Sequence, residues 1–283
     1  MNPDSRPRRT DEPLDAAEEM SYVYALGRVD EPALRDAVAR LAGVDGGALR
    51  LVESAGLAAV VSSVPSDAFG EQGLRTQLED MARLEAVARA HHAVVDAVFA
   101  GATVLPLRLA TVYLDDARVA GMLTAGRVRF LDLLARLDGH VELGVKVYAD
   151  AGVAAPPEAE VVAESPGRAY LQRRRAQRRS TQDLYRAAAG VAEEAARVAE
   201  GLSRARVVHR PQQGGLAPAR GENIANEAYL VPVGEAGRFM TALGGSADAT
   251  PGVRVEVTGP WAPYSFATVT EGDRYGTEEG GER

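Results

Sequence analysis

The feature that most constrains this chain is a strict alternation of residue types in the run VELGVKVY at residues 141–148. Valine or leucine stands at every odd position, and a polar residue, a glycine or a tyrosine stands at every even position. Successive side chains of a β-strand point to opposite faces of its sheet, so a period of two predicts a strand with one buried face. The second half of the chain is therefore predicted to be built on a half-buried sheet.

The segments after this strand complete a known order of elements. The predictions rest on apolar periodicity, on β-branched runs and on Gly/Pro boundaries. They are a helix from Ser165-Pro166 to about Gly201, strands at 205–210 and 227–233, a helix at 234–243 and an alternating strand at 253–258. Residues 141–269 therefore have the order β-α-β-β-α-β, which is that of the ferredoxin-like split βαβ unit.

The first half of the chain has the same order with one helix added, which suggests two related modules. Its predicted elements are a strand at 21–29, a short helix capped by Asp30 with Pro32 just inside it, a hairpin of 49–53 and 57–63 around Ala55-Gly56, a long helix at 74–100, a strand at 103–113, and a helix capped by Asp115 and Asp116 that runs to about Asp138.

The length of 283 residues favours two domains. The predicted fold class is α+β, with an N-terminal α/β module and a C-terminal ferredoxin-like module that contains long helices. The predicted domains are a disordered acidic segment at 1–19, an N-terminal α+β domain at 20–140, a ferredoxin-like domain at 141–269 and a disordered acidic tail at 270–283. Both end segments are rich in charge and poor in apolar residues, so they cannot offset the entropy of ordering.

Charge and composition exclude several classes of function. The formal net charge is −8, of which the two end segments carry −3 each. An acidic chain is a poor general binder of nucleic acid, whose phosphates need a basic surface. No apolar run reaches the roughly 18 residues of a membrane helix, and the first 19 residues contain no apolar signal region. We therefore expect a cytoplasmic protein without membrane insertion.

The sequence offers no catalytic, metal or cofactor motif. Cysteine is absent, which removes thiolate nucleophiles, disulfides and cysteine-based metal sites. No phosphate-binding GxxxxGK[ST] or GxGxxG pattern is present. His91 and His92 are adjacent, so on a helix they point about 100° apart and cannot share a metal ion in the usual way. We expect structural roles for them, no bound cofactor or metal, and no enzymatic activity.

Six arginines fall within twelve residues near the start of the long second-half helix. They are Arg168, Arg173, Arg174, Arg175, Arg178 and Arg179. The positive end of the helix dipole disfavours cations at this position, so something should compensate for them. One interpretation is a solvated face whose guanidinium groups pair with acids elsewhere. The other is a docking surface for an acidic protein partner; RNA is disfavoured because Tyr170 is the only interleaved aromatic residue.

Two further residues are candidates for binding a partner. Arg108 lies inside the apolar run 103–113 beside Pro106, and a charge in such a strand should be paired or should face an interface. Trp261 lies in GPWAPYSF at 259–266, where two prolines hold three aromatic residues in an extended segment. This segment either covers an open end of the last sheet or forms an aromatic patch for a partner.

Several of these motifs together resemble the GvpF/GvpL family of gas vesicle proteins. The similar segments are SYVYALGRV (21–29), TVLPLRLATVY (103–113), VELGVKVYAD (141–150), GRAYLQRRRAQR (167–178) and GPWAPYSF (259–266). They keep their order and cover about residues 20–267. Leu109 is a minor departure from the pattern of the family, and residues 1–19 are an extension beyond the shared region.

The resemblance implies an accessory, non-enzymatic protein of prokaryotic gas vesicle assembly. It implies an N-terminal α/β domain, a modified ferredoxin-like C-terminal domain, and partners that include the small hydrophobic shell protein GvpA and other accessory proteins. The protein would be a minor vesicle component or a factor that limits aggregation of GvpA during nucleation. The family carries over no catalytic residues, and Arg108, Arg173, Arg174 and Arg178 fall on its motifs without an agreed role. The residues alone leave open a small-molecule-binding or regulatory ferredoxin-like module, and they do not separate F-type from L-type members.

Overall fold

A computed structural model of the chain describes residues 19–153, 166–211 and 221–267. The predicted acidic segments lie outside these ranges, except that Glu19 is the first residue of a strand. Residues 154–165 and 212–220 also lie outside them. None of the helices in the described ranges is long and apolar enough to span a membrane.

The first module opens as the sequence predicts. It begins with strand β1 (Glu19–Arg28), helix α1 (Pro32–Arg40) and the hairpin of β2 (Leu49–Ser54) and β3 (Leu57–Pro65). Ala55 and Gly56 both have positive φ angles, of 53° and 81°, as a tight two-residue hairpin turn requires. The predicted cap of α1 is wrong: Glu31 rather than Asp30 precedes the helix, and no side chain caps it.

The long helix predicted at 74–100 is divided. After a short helix α2 (Ser66–Phe69), the chain forms α3 (Glu71–Glu79) and α4 (Met81–Phe99). Asp80 separates α3 from α4 with an extended backbone, and its carboxylate accepts the N–H groups of Ala82 and Arg83 at 2.9 and 3.1 Å. A carboxylate that satisfies two free N–H groups favours a new helix start over continuation of the old helix.

The strand predicted at 103–113 is also wrong for most of its length. Only β4 (Leu105–Pro106) and β5 (Val112–Tyr113) are strands. Pro106 has no N–H group to offer a continuing ladder, and Ala110 has a φ of 60° that turns the chain. The next predicted helix is divided at Gly126 into α5 (Asp116–Ala125) and α6 (Arg127–Leu137), and Asp115 caps α5 as predicted, 2.7 Å from the N–H of Arg118.

The second module has the predicted ferredoxin-like order. Its elements are β6 (His140–Ala149), α7 (Pro166–Glu200), β7 (Ala205–His209), β8 (Glu222–Pro232), α8 (Ala236–Gly244) and β9 (Val253–Trp261). Their sheet has the order β7-β8-β6-β9, and every neighbouring pair is antiparallel. The first sheet has the equivalent order β2-β3-β1-β4, with β5 also paired to β1. The α+β class and the repeated order of elements are therefore confirmed.

The alternation in β6 sorts its side chains as predicted up to Val147, whereas Tyr148, on the face predicted to be polar, is buried as well. Val147 and Ala149 are buried against Leu184 and Ala188 of α7 and against Val253 of β9. These contacts place the middle of α7 over the carboxyl end of β6. Further along the same face, the rings of Tyr229 on β8 and Phe239 on α8 lie 5.5 Å apart. Helices α7 and α8 thus cover the apolar face of this sheet.

The described residues group into two compact units. One contains residues 19–102 and 107–127, and the other contains residues 103–106 and 128–267. Helix α6 therefore groups with the second sheet. The proposed domain limits at residues 20, 140 and 269 stay a prediction.

Candidate functional site

Helix α7 begins well before it reaches the sheet. Every described side chain from 167 to 179 is exposed, and Leu184 is the first buried residue of the helix. At about 1.5 Å per residue, these thirteen residues form a segment about 20 Å long. We call residues 167–179 the arginine arm. A helix that is exposed on all sides is not held by the core of its own unit, so its side chains are available to another surface.

The arginine arm has a strong positive charge. It carries six arginines, and no Asp or Glu occurs between Pro166 and Gln182. Arg174 Nη1 donates to the hydroxyl of Tyr170 at 3.3 Å. Within the described ranges, the guanidinium groups of Arg173, Arg175, Arg178 and Arg179 form no hydrogen bond or ion pair. The predicted alternative of a face paired with acids is therefore not seen for these four arginines.

The two sides of the arginine arm differ in their relation to the sheet. A turn of about 100° per residue places Gln177 and Tyr170 nearly in line with Leu184, seven and fourteen positions earlier. Arg173 and Arg174 flank that line. We call Tyr170, Arg173, Arg174 and Gln177 the inner face, since it continues the buried side of α7 beyond the sheet. Arg168, Arg175 and Arg179 form the outer face on the opposite side, and Arg178 lies between the two.

Apolar surface accompanies this charge. Tyr170 and Leu171 are 59% and 54% exposed, which is high for large apolar side chains. Arginine with an adjacent aromatic ring is a combination enriched at protein interfaces. The arginine arm therefore has the chemistry of a surface for an acidic protein segment.

Trp261 lies at the other end of the same unit. It ends β9, pairs in register with Glu142 of β6, and is 50% exposed. The arginine arm starts beyond Val147 and Ala149, which follow Glu142 by five and seven residues. At about 3.3 Å per residue, roughly 20 Å of strand separate these two ends of β6. The structure thus does not bring Trp261 together with the arginines of α7.

The chain after Trp261 folds back over the sheet. The N–H and the hydroxyl of Ser265 donate to the two carboxylate oxygens of Glu142, both at 2.8 Å. The same hydroxyl lies 3.0 Å from Nε2 of His209 on β7. We call Glu142, Ser265 and His209 the Glu142 clasp. Burial raises the pKa of Glu142, and the two hydrogen bonds from Ser265 oppose that rise.

The Glu142 clasp supports the predicted covering role for 259–266, and sequence reasoning missed the residues that perform it. Glu142 and Ser265 are 123 positions apart. The available signal was a carboxylate on the polar side of a half-buried strand, but nothing in the sequence names its partner.

Arg108 belongs to the other unit and lies in a loop rather than within a strand. Its side chain is exposed, so water can solvate its charge and no buried partner is needed. The loop around it is held firmly. Leu107 donates its N–H to the carbonyl of Tyr24 at 2.9 Å, and Ala110 donates its N–H to the hydroxyl of Tyr22 at 3.0 Å. Arg108 is therefore presented to solvent from a fixed backbone.

His91 is one of the groups that hold this loop. It is fully buried, and burial lowers its pKa from 6.5 to about 4. A neutral ring explains both of its hydrogen bonds. Nε2–H donates to the carbonyl of Leu107 at 3.1 Å, while Nδ1 accepts from the hydroxyl of Tyr22 at 3.0 Å. This is a structural role for His91, and no cluster of three or more His, Asp or Glu side chains suited to a metal ion occurs in the described ranges.

Comparison with protein families and known proteins gives a consistent result. The family described as "Gas vesicle synthesis protein GvpL/GvpF" matches residues 20–268. Gas vesicle protein L of Streptomyces sp. (strain CB03234) is 41% identical over 269 residues, which span 94% of this chain and 99% of that protein. Gas vesicle protein F of the same strain is 29% identical over 256 residues, or 87% of this chain and 98% of that protein.

Two crystal structures share the fold. GvpF from Anabaena sp. PCC7120 superposes with a TM-score of 0.63 at 16% identity, over 89% of this chain and 98% of that one. GvpF from Microcystis aeruginosa gives a TM-score of 0.61 at 16% identity, over 88% of this chain and 99% of that one.

Proposed function

The chain belongs to the gas vesicle synthesis protein GvpL/GvpF family, and from this premise we propose that it is an accessory factor that binds the small hydrophobic shell protein GvpA. It limits aggregation of GvpA during nucleation of the vesicle and acts beside other accessory proteins. The function is binding rather than catalysis, and it needs no cofactor.

The observation that carries this proposal is the arginine arm. About 20 Å of helix project beyond the sheet with six arginines, no acid and two exposed large apolar side chains. Exposed large apolar side chains beside clustered arginines are typical of a surface that binds a protein partner, so such a segment is best explained by one. The planar guanidinium group can bind a carboxylate through two hydrogen bonds, which favours an acidic segment as that partner.

Such binding would serve assembly in a simple way. A small shell subunit must expose apolar surface and free strand edges before it is incorporated, and these features cause aggregation. A factor that holds the subunit by its acidic residues lowers the concentration of free subunit and keeps copies apart. Electrostatic contacts also form and release quickly, so the subunit can be passed to the growing shell.

Co-expression with GvpA, followed by affinity capture, tests the proposal. The variant Arg173→Glu/Arg174→Glu reverses two charges on the inner face, and Arg175→Glu/Arg179→Glu reverses two on the outer face as a matched control. The inner-face variant is expected to lose most of the captured GvpA, while the control retains most of it. Adding Arg178→Glu to the inner-face variant should reduce capture further.

Neither variant touches the buried part of α7, so both should keep the thermal stability of the unaltered chain. Equal capture of GvpA by a folded inner-face variant would exclude this surface. A test of capture with Arg108→Glu and Trp261→Ala asks whether the other two candidate residues belong to the same binding function.

The identities favour the L-type role within the family, since the chain is 41% identical to protein L and 29% identical to protein F of one strain. We propose that the protein works in the cytoplasm and associates with the vesicle. Co-purification with intact floating vesicles would support association. Recovery only from the fraction without vesicles would restrict the action of the protein to a step before the vesicle is complete.

A further inference from the structure

We propose that the acidic segment 268–283 of this chain occupies the inner face of the arginine arm until a partner displaces it. The contact lies within one chain, so it does not depend on which protein finally binds there. The segment would shield the arginines of the inner face. A partner would then have to bind this face more tightly than the segment does in order to displace it.

Charge complementarity is the first argument. Residues 268–283 carry five acids (Glu271, Asp273, Glu278, Glu279 and Glu282) and two arginines. The distribution of these charges matters more than the net charge of the segment, because residues 276–282 contain three glutamates and no cation. The arginine arm has the inverse pattern, with six arginines and no acid. Arginine–carboxylate pairs between the two segments need no other part of the molecule.

The origin of the segment is the second argument. The Glu142 clasp fixes Ser265 on the sheet of the same unit that carries α7. From Glu142 to Ala149 is about 23 Å of strand, and from Leu184 back to Gln177 is about 10 Å of helix. The path from the clasp to the inner face is therefore about 33 Å.

The length of the segment matches this path. Glu278 lies eleven positions after Ala267, and an extended chain covers about 3.3 Å per position, or about 36 Å. Glu278 and Glu279 can therefore reach the inner face at Gln177, and Glu282, which follows Glu278 by four residues, can also reach Arg173 and Arg174. A tether of this length keeps the local concentration of the acids near the millimolar range, which suffices for a contact that would be weak between separate molecules.

The N-terminal segment is a poorer occupant. It joins β1 in the other unit, and its five acids at 1–18 are accompanied by Arg6, Arg8 and Arg9. These cations would repel the arginine arm. The C-terminal segment is favoured both by its attachment point and by its run of glutamates without cations.

The absence of native cysteine allows a direct test by disulfide trapping. Gly280→Cys places a thiol among the three glutamates, Gln177→Cys places one on the inner face, and Gln172→Cys places one toward the outer side of the same helix. Each pair, 177–280 and 172–280, is made with the native tail and with Glu278, Glu279 and Glu282 all changed to Gln. The measurement is the rate of intramolecular disulfide formation in a glutathione buffer at low salt.

The neutral tail measures how often a tether of this length meets each position by diffusion. The native tail is expected to form the 177–280 disulfide about tenfold faster than the neutral tail, with a much smaller acceleration at 172. About 0.5 M salt should remove the acceleration, because it shortens the screening length to a few ångströms. Gln172 and Gln177 are both exposed, so the variants should fold alike.

Two results would overturn the proposal. Equal rates for the native and neutral tails at position 177 would mean that the glutamates do not hold the tail there. Equal acceleration at 172 and 177 would mean that the tail is attracted to the helix as a whole and not to the inner face. Disulfides found mainly between two chains would instead assign the surface to a second copy of the protein, and this too contradicts the proposal.

Discussion

Asp116 holds Arg50 through both oxygens of its carboxylate, with Nε 2.8 Å from Oδ2 and Nη2 2.7 Å from Oδ1. The hydroxyl of Ser21 donates to Oδ1 at 2.6 Å. Three elements of the first unit meet here, since Ser21 is on β1, Arg50 on β2 and Asp116 at the start of α5. The hydrogen bond from Arg50, followed by that from Ser21, lowers the pKa of Asp116.

We expect Asp116→Asn to lower the free energy of unfolding by about 1 kcal/mol at pH 7. Hydrogen bonds to charged groups are worth more than this when buried, but these side chains are 36% and 44% exposed and water screens the pair. Because the pKa of Asp116 is lowered on folding, its stabilisation is complete above the unfolded pKa of about 3.9 and is lost as the pH falls through the folded value. Urea unfolding from pH 7 to pH 3 measures both effects.

The surface pair of Arg35 and Glu53 is the control for this prediction. It has one contact of 3.2 Å, and its side chains are 56% and 44% exposed. Arg35→Ala should change stability by less than about 0.5 kcal/mol. An Asp116→Asn variant as stable as Arg35→Ala would show that the pairing of Arg50 with two oxygens adds nothing.

His91 makes the first unit sensitive to acid. Its pKa falls from 6.5 to about 4 on folding, so the unfolded chain binds more protons between these values. Stability should therefore decrease by about 3 kcal/mol as the pH is lowered from 6.5 to 4. Thermal unfolding of the chain and of His91→Gln across this range provides the measurement, and the slope should be reduced in the variant.

His92 is the matched control because it is adjacent to His91 but exposed. His92→Gln should retain most of the pH dependence, because burial is the largest cause of the lowered pKa of His91 and the nearby His92 is a smaller one. If His91→Gln keeps the full slope between pH 6.5 and 4, the acid sensitivity arises from another group.

The fold was predictable where one face of an element repeats in a regular pattern. Val145 and its neighbours alternate without exception, so β6 could be placed from the sequence. The run around Arg108 is as apolar as a strand, yet it forms a loop because hydrogen bonds to Tyr22 and Tyr24 fix it. Those partners are more than 80 positions away, and local propensity cannot report them.

The residues of the candidate site were predictable from the sequence, but their exposure on a helix segment beyond the sheet was not. The cluster that begins at Arg168 is visible in the sequence, but its exposure depends on where the sheet ends. Leu184 becomes the first buried residue of α7 because Val147 and Ala149 close β6 opposite it. That relation is set by tertiary packing, so the helical pattern alone could not distinguish a projecting segment from a solvated face.

Ser265 should control the exposure of the single tryptophan of the chain. Removing its hydroxyl in Ser265→Ala leaves Glu142 with the N–H bond alone and breaks the link to His209. The segment after β9 should then loosen, and Trp261 should become more exposed than its present 50%. We expect a red-shifted emission of Trp261 and stronger quenching by iodide.

Ser246→Ala is the control for the loss of a serine hydroxyl. The hydroxyl of Ser246 donates to the carbonyl of Ala242, at 3.4 Å, just after the end of α8. Its removal should leave the emission of Trp261 unchanged. Identical spectra for Ser265→Ala and the unaltered chain would mean that the backbone N–H bond to Glu142 is sufficient to hold the segment.

Gly190 and Gly221 should respond in opposite directions to alanine. Gly190 is exposed in the interior of α7, and an added Cβ would have no heavy atom within 4 Å. Glycine costs a helix about 1 kcal/mol relative to alanine, so Gly190→Ala should raise the Tm by a few degrees.

Gly221 has a φ of 79°, and its Cβ would lie 2.6 Å from the carbonyl oxygen of Ala149. Gly221→Ala should therefore destabilise the chain by about 2 kcal/mol in urea unfolding. A Gly221→Ala variant as stable as Gly190→Ala would contradict the close approach of β8 to the end of β6.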